Sequence, residues 1–196
     1  MTVGLFFGTF NPIHHGHVQV AQSAMFDDVI DKIWFMVTPQ SPLKKNMALT
    51  SPEHRLEMVR LALGEYDNFQ ASDFEFSLSH PQYTVDTLRL IQKRYADNNF
   101  ILIMGSDNYT SLCHLKWKDS EYILENFQIY VYGRTNDFDA GYNYIKIPGD
   151  FLPVSSSDIR SKFQVQKTEL DKVPDFENIL NKEVFKYIKC HQLYTI

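Results

Sequence analysis

The sequence predicts an α/β protein with a doubly wound parallel sheet. Segments rich in strand-forming residues alternate with segments of helical periodicity along the whole chain. The first strand, helix and strand fit within residues 3–38, which is typical of a βαβ unit with a right-handed crossover. Because no repeat, low-complexity tract or linker interrupts this alternation, we expect one domain over residues 1–196, with a helical C-terminal part from about residue 155.

The composition narrows the class of protein. Hydrophobic residues make up 44% of the 196 residues and charged residues 22%, which is ordinary for a globular domain with a proper core. The formal net charge of −5 disfavours a nucleic-acid-binding surface, so a phosphate site would have to be a local positive pocket. We expect a cytoplasmic protein for three reasons. The chain has only two cysteines, it shows no basic-then-apolar leader, and none of its apolar stretches approaches the ~18 residues that a membrane span needs.

The end of the first strand is suited to binding an anion. The apolar run ends at Gly8, a turn follows at Pro12, and His14 and His17 then flank the start of a helical pattern. This order brings backbone N–H groups and the positive end of a helix to one point. The two histidines, three residues apart, can project from the same side of the first helical turn and donate to the same anion.

Two other interpretations of these histidines compete with phosphate binding. A zinc site would need further ligands, but the chain has no Cys-x-x-Cys or His-Glu-x-x-His segment, and Cys113 and Cys190 lack the usual spacing. We therefore predict no metal site made by protein ligands. A merely polar helix start would be the better interpretation if His14, His15 and His17 stood alone, but three later motifs point to the same pocket.

Periodicity predicts the next elements. We expect a helix from Gly16 to about Ile30, and a buried strand over residues 32–38. The proline-containing segment 39–46 leaves the carboxyl end of that strand, where ligand sites of open parallel sheets lie, so Lys44 is a candidate phosphate ligand as well as an ordinary solvated lysine.

A second helix should begin at a capping hydroxyl, Ser51, and end near Gly64. We place Arg55 on its surface. A weaker strand pattern covers residues 69–77. A third helix is predicted to begin with Thr84 as its cap, and the N–H groups at this helix start could hold a carboxylate, although a purely structural cap is commoner.

The second half of the chain adds three strands and further candidates. Residues 100–104 predict a strand, followed at its carboxyl end by Asp107, where an acid often binds ribose hydroxyls or caps a helix. Residues 127–132 predict another, so Arg134 just beyond it is a candidate substrate contact. Residues 144–147 predict an edge strand.

Two more motifs carry candidate ligands. Trp117 lies between two lysines, which indicates partial exposure and suits stacking on a heteroaromatic ring, although tryptophan is more often core. Ser156 and Ser157 offer hydroxyls at a helix start, and Arg160 adds a positive fork one turn later. Together with the histidines, they predict the other half of a triphosphate clamp. The last helical pattern, residues 182–190, is predicted to serve packing only.

These motifs resemble those of the HxGH nucleotidyltransferase superfamily, and among its members the bacterial nicotinate mononucleotide adenylyltransferases. The matching segments are Gly8–His17, Tyr83–Leu88, Gly105–Asp107, Trp117 and Ser155–Arg160. The chain departs from the family pattern at Asn11, where aspartate is common, and at Ser157, where threonine is usual. Both changes leave donors in place.

The resemblance implies a Rossmann-like nucleotidyltransferase domain that joins nicotinate mononucleotide and ATP, releasing pyrophosphate, in NAD biosynthesis. It implies that His14 and His17 are the catalytic donors and that no protein nucleophile is needed, because the substrate phosphate itself attacks. Mg²⁺ would be held mainly by the ATP phosphates. The expected ATP contacts are Gly8, Thr9, Phe10, Lys44, Ser156, Ser157 and Arg160, and the expected mononucleotide contacts are Tyr83, Thr84, Asp107, Trp117 and Arg134.

Other functions remain as alternatives. A pantetheine-phosphate adenylyltransferase or a cytidylyltransferase would share the outer motifs, but the Tyr83–Leu88 segment and Trp117 favour a planar carboxylated base. A non-catalytic nucleotide sensor would not need to retain both histidines and Arg160. The sequence leaves open whether the chain forms a homo-oligomer and how strongly it prefers the acid to the amide mononucleotide.

Overall fold

The computed structural model describes residues 1–40, 49–79, 81–133, 142–165 and 176–195. Within these ranges the strands are β1 (Thr2–Gly8), β2 (Lys32–Val37), β3 (Phe69–Ser72), β4 (Asn99–Gly105), β5 (Gln128–Tyr132) and β6 (Ile145–Lys146). The α-helices are α1 (His15–Ser23), α2 (Pro52–Leu63), α3 (Thr84–Arg94), α4 (Ser106–Cys113), α5 (Ser120–Asn126), α6 (Ser156–Val165) and α7 (Lys182–Cys190), and a 3₁₀ helix covers Phe74–Ser77.

The strands form one parallel sheet in the order β3-β2-β1-β4-β5-β6. The chain builds outward from β1 through β2 and β3, and then returns to place β4 on the other side of β1. This reversal creates a switch point at the carboxyl ends of β1 and β4, where open α/β sheets bind ligands. The predicted fold class is confirmed.

Both faces of the sheet are covered, so its strands are apolar on both sides. In β1, Phe6 packs in the cluster that includes residues of α1, α2, α6 and α7, whereas Leu5 packs in the cluster formed with α3, α4 and α5. In the described ranges, no helix is both long and apolar enough to cross a membrane.

Two predicted boundaries were wrong. The first helix ends at Ser23. It could not have extended to Ile30, because Asp28 has a left-handed backbone with φ of 57°, which an α-helix cannot contain. The third strand ends at Ser72. There the Ser72 hydroxyl accepts a hydrogen bond from the N–H of Phe74 at 3.3 Å, and the chain turns into the 3₁₀ helix.

Helix α2 begins as predicted, with the Ser51 hydroxyl accepting from the N–H of His54 at 3.4 Å. The cap of α3, by contrast, is Tyr83 and not Thr84. Tyr83 has an extended backbone, and its side chain does not cap the helix. The N–H of Asp86 donates to the carbonyl of Tyr83 at 3.0 Å. The N–H groups of Thr84 and Val85 before it have neither an intrahelical acceptor nor a side-chain cap.

Candidate active site

The turn after β1 is built around a buried aromatic ring. Phe10 has a left-handed backbone with φ of 43°, and its ring lies beneath the turn, with its centroid 5.7 Å from that of Phe6 and 5.2 Å from that of His17. A Cβ at Gly8 would lie 2.8 Å from the Phe10 ring, so only glycine fits there. Phe10 therefore supports His17 with its ring and can offer a ligand only its backbone.

The two predicted histidines lie against each other at the start of α1. His14 is the N-cap residue, and its N–H donates to Nδ1 of His17 at 3.2 Å, while the ring centroids are 3.7 Å apart. Because Nδ1 of His17 accepts, neutral His17 carries its proton on Nε2, which is thus a donor. Gly16 permits this packing, since a Cβ there would lie 3.0 Å from Nδ1 of His14.

Burial keeps both histidines neutral. It lowers the pKa of His14 to about 4, with a smaller contribution from the charge of His15. For His17, burial first and the proximity of His14 second lower the pKa well below its usual value. At neutral pH the pair therefore offers hydrogen-bond donors but no positive charge.

The start of α6 meets this turn and adds the positive charge. The Ser156 hydroxyl donates to the carbonyl of Pro12 at 2.8 Å, and Nη1 of Arg160 donates to the carbonyl of Asn11 at 2.8 Å. Nη2 of Arg160 donates to the Ser157 hydroxyl at 3.1 Å, and its remaining N–H groups can bind an anion. The structure thus brings both predicted halves of the clamp together. We call His14, His17, Ser156 and Arg160 the donor cluster.

The C-terminal segment also reaches the turn, which the sequence did not indicate. The hydroxyl of Tyr194 donates to Oδ1 of buried Asn11 at 2.9 Å, and the N–H of Thr50 approaches the same oxygen at 3.4 Å. Burial raises the pKa of Tyr194 to about 12, so this hydroxyl keeps its proton at neutral pH. Helix α7 serves packing as predicted, but Tyr194 beyond it supports the conformation of Asn11.

A pocket of about 200 Å³ opens beside the carboxyl ends of β1 and β2, next to the start of α3. We call it the α3 pocket. Five of its residues were predicted from the sequence: Gly8, Thr9, Tyr83, Thr84 and Trp117. The others are Phe7, Thr38, Glu75, Gln82, Val85, Asn108, Lys116 and Lys118.

The Trp117 side of the α3 pocket is held to α3 by an ion pair. Nζ of Lys118 binds the carboxylate of Asp86 at 2.8 Å and lies 5.1 Å from the centroid of the Tyr83 ring. The Ser120 hydroxyl accepts from the N–H of Trp117 at 3.1 Å and donates to its carbonyl at 2.8 Å. These bonds hold the half-buried indole at the pocket wall.

Asp107 lies after the carboxyl end of β4, as expected, and is exposed in the first turn of α4. It does not cap this helix, since the cap residue is Gly105, and the neighbouring Asn108 lines the α3 pocket. Arg55 was expected on the surface but is fully buried. Lys44 and Arg134 lie outside the described residues.

Comparisons with known proteins identify the family of the chain. Residues 5–162 match the family model described as cytidylyltransferase-like. A probable nicotinate-nucleotide adenylyltransferase of Christiangramia forsetii is 41% identical over 98% of this chain and 97% of its own length. The chain belongs to the nicotinate-nucleotide adenylyltransferase family. A relative of the same description in Flavobacterium psychrophilum is 40% identical and covers 99% of both chains.

Solved structures share the fold of this family member. The Plasmodium falciparum nicotinic acid mononucleotide adenylyltransferase, in its complex with NaAD, superposes with a TM-score of 0.76 over 98% of this chain and 97% of its own, at 20% identity. The two sequence relatives confirm the family resemblance drawn from the motifs.

Because His14 and His17 are buried as neutral groups, the free energy of unfolding of this adenylyltransferase family member should depend on pH. For His14 the folded pKa of about 4 lies below the ordinary 6.5, so between these values the unfolded chain binds more protons and unfolding becomes easier as the pH falls. The shift corresponds to about 3 kcal/mol that is present above pH 6.5 and lost by pH 4.

Urea denaturation at pH 7 and pH 4 measures this effect. His14→Gln should reduce the fall in unfolding free energy between the two pH values by about 3 kcal/mol. A variant whose stability falls as much as that of the wild type would show that His14 is not buried as a neutral group.

Proposed function

We propose that this chain transfers the adenylyl group of ATP to nicotinate mononucleotide, giving nicotinate adenine dinucleotide and pyrophosphate. One observation carries the proposal. The α3 pocket is lined by Gly8 and Thr9, and Ser156 and Arg160 of the donor cluster bond to Pro12 and Asn11 of the same turn. A phosphate held by the donor cluster can therefore be joined to a planar acid held by the pocket.

The reaction needs positioning and charge stabilisation. A phosphate oxygen of the mononucleotide attacks the α-phosphorus of ATP, the new P–O bond forms, and the bond to the β-phosphate oxygen breaks as pyrophosphate leaves. The ring N–H groups of His14 and His17 would donate to the α- and β-phosphate oxygens. Arg160 would bind the β/γ end together with the backbone N–H of Ser156 at the start of α6, because the Ser156 hydroxyl already donates to the carbonyl of Pro12. Neutral histidines suit this role, because they can donate without first being protonated.

The α3 pocket would hold the pyridine ring. Its aromatic wall, Trp117, can stack on the ring, and the N–H groups at Tyr83 and Thr84 can donate to the ring carboxylate at the positive end of α3. These donors lack an intrahelical acceptor and a side-chain cap, which supports their use by a ligand.

Mg²⁺ would accompany ATP and would be held mainly by phosphate oxygens and water, where it neutralises phosphate charge. Across the part of the chain that the structure describes, no three His, Cys, Asp or Glu side chains converge to hold a metal ion. The donor set near the turn consists of hydroxyl, imidazole and guanidinium groups, which suit the phosphates themselves.

Arg160→Ala should raise the KM for ATP about tenfold or more, because a guanidinium can bind phosphate oxygens with two N–H groups. Arg160→Lys should restore only part of the affinity, since lysine provides a point charge without the fork. Steady-state kinetics with ATP as the varied substrate measures the effect. Lys182→Ala, which removes an exposed positive charge from α7, is the control. Equal ATP affinities in all these proteins would contradict the clamp assignment.

A pyrophosphate-release assay tests the function directly. The purified protein is given ATP with nicotinate mononucleotide, with nicotinamide mononucleotide or with phosphopantetheine. We expect turnover to be fastest with nicotinate mononucleotide. Faster turnover with phosphopantetheine would assign the chain to another branch of the superfamily, and nucleotide binding without turnover would indicate a sensor.

A further inference from the structure

The segment between β3 and α3 forms a hydrogen-bond network with the first turn of α3. Nε2 of Gln82 donates to the carbonyl of Glu75 and approaches that of Leu78 at 3.4 Å. The hydroxyl of Thr87 donates to Oε1 of Glu75 at 2.7 Å. The 3₁₀ helix, the loop after it and the first turn of α3 are therefore tied together by three side chains, those of Glu75, Gln82 and Thr87.

This network is buried next to the α3 pocket. Glu75 is 2% exposed, Gln82 5% and Thr87 0%, and both Glu75 and Gln82 line the pocket. Gln82 directly precedes the cap residue of α3, and Thr87 lies one turn after it. The network thus holds the chain on both sides of the N–H groups at Tyr83 and Thr84.

Part of its hydrogen-bonding capacity is unused. Oε2 of Glu75 and Oε1 of Gln82 are buried and make no hydrogen bond of standard geometry to any described residue. Burial raises the pKa of Glu75, and hydrogen bonding from Thr87 and then Thr38 opposes this rise. A neutral carboxyl group would add a donor to the pocket wall, whereas an ionised one would repel a ligand carboxylate.

We propose that Glu75 is a positioning residue that determines the preference of the α3 pocket for a carboxylate over a carboxamide on the pyridine ring. It acts through Thr87, which aligns the first turn of α3, and with Gln82 it orients the N–H groups at Tyr83 and Thr84. Bonds to a carboxylate depend more strongly on this alignment than bonds to a neutral amide, because they are charge-assisted. The inference rests on the proposed function.

Two matched pairs of variants test the proposal. Thr87→Val removes the hydroxyl but keeps the side-chain shape, whereas Thr87→Ser keeps the hydroxyl. Glu75→Leu removes the acceptor for Thr87, whereas Glu75→Gln keeps it and mimics a neutral carboxyl group. The readout is kcat/KM for nicotinate and nicotinamide mononucleotides at saturating ATP, together with the KM for ATP.

We expect Thr87→Val and Glu75→Leu to lower the acid-to-amide ratio of kcat/KM roughly tenfold, mainly through the KM of the acid. Thr87→Ser and Glu75→Gln should keep the ratio within about twofold of wild type. The KM for ATP should not change in any variant, because none of the network's hydrogen bonds involves a residue of the donor cluster.

A purely structural role predicts a different result. It would lower the activity on both mononucleotides equally, and an unchanged ratio in Thr87→Val would overturn the proposal. Thr87→Val keeps the side-chain volume, so its kcat/KM ratio tests the proposal even if Glu75→Leu does not fold. If the wild type forms no pyrophosphate from ATP and nicotinate mononucleotide, the proposed function fails as well. If the wild type forms pyrophosphate but the acid-to-amide ratio is the same in Thr87→Val, only this inference fails.

Discussion

His17→Ala is expected to lower kcat by about 10²–10³-fold while changing the KM values little. The structure gives the reason. The N–H of His14 occupies Nδ1 of His17, so the proton of the neutral ring is on Nε2. This preorganised donor would gain strength as negative charge develops on the departing phosphate, which is the kind of contact that raises kcat without tightening substrate binding.

Pyrophosphate release under saturating ATP and nicotinate mononucleotide measures this loss. His15→Ala is the matched control, since the neighbouring imidazole faces the C-terminal segment, where its Nδ1 lies 3.2 Å from the carbonyl oxygen of Asn178. It should retain most of the wild-type kcat. Wild-type turnover by His17→Ala would exclude His17 from the mechanism, and an equal loss in both variants would indicate damage to the start of α1.

Arg55→Met is expected to destabilise the protein by about 3–5 kcal/mol. Arg55 is 0% exposed, and its guanidinium donates to the carbonyls of Thr9, Thr38, Pro39 and Thr50 at 2.7–2.8 Å. Burial lowers its pKa to about 10, so it is still charged at pH 7. Methionine would fill the space but leave those four carbonyls without this donor, and each buried unpaired group costs about 1–3 kcal/mol before the structure relaxes.

Urea denaturation at pH 7 gives the unfolding free energies that decide this prediction. Arg60→Met provides the control on the same helix, because Arg60 has 54% of its side chain exposed and forms a 3.5 Å ion pair with Glu57. Such a surface pair contributes at most about 1 kcal/mol. A loss below 1 kcal/mol in Arg55→Met would mean that the carbonyls find other donors.

The two predictions differ in how far the sequence alone could lead to them. The histidines belong to a local pattern, a strand followed by a turn and a helix, and such a pattern is visible within ten or so residues. The surface position expected for Arg55 was wrong because helical periodicity does not reveal which loops close over a helix. In the folded chain, four carbonyl oxygens accept from the guanidinium of Arg55. They belong to the segments that follow β1 and β2 and to the residue before the cap of α2.

Contacts between distant segments could not be predicted from the sequence for the same reason. Glu75 lies in a stretch that was expected to continue as a strand, and Gln82 lies just before the predicted start of the third helix. The importance of both depends on contacts within the folded chain, including that of Glu75 with Thr87. Tyr194 was missed because nothing near it in the chain indicates that it reaches Asn11, 183 residues away.

By itself, the sequence determined the alternation of strands and helices, the parallel sheet and the residue types that collect at its carboxyl edge, because each depends on local periodicity and on where strands end. Only the tertiary structure decided the neutral state of His14 and His17, the burial of Arg55 and the uncapped start of α3. Those properties depend on desolvation and on hydrogen-bond partners from remote segments, which exist only once the chain has packed.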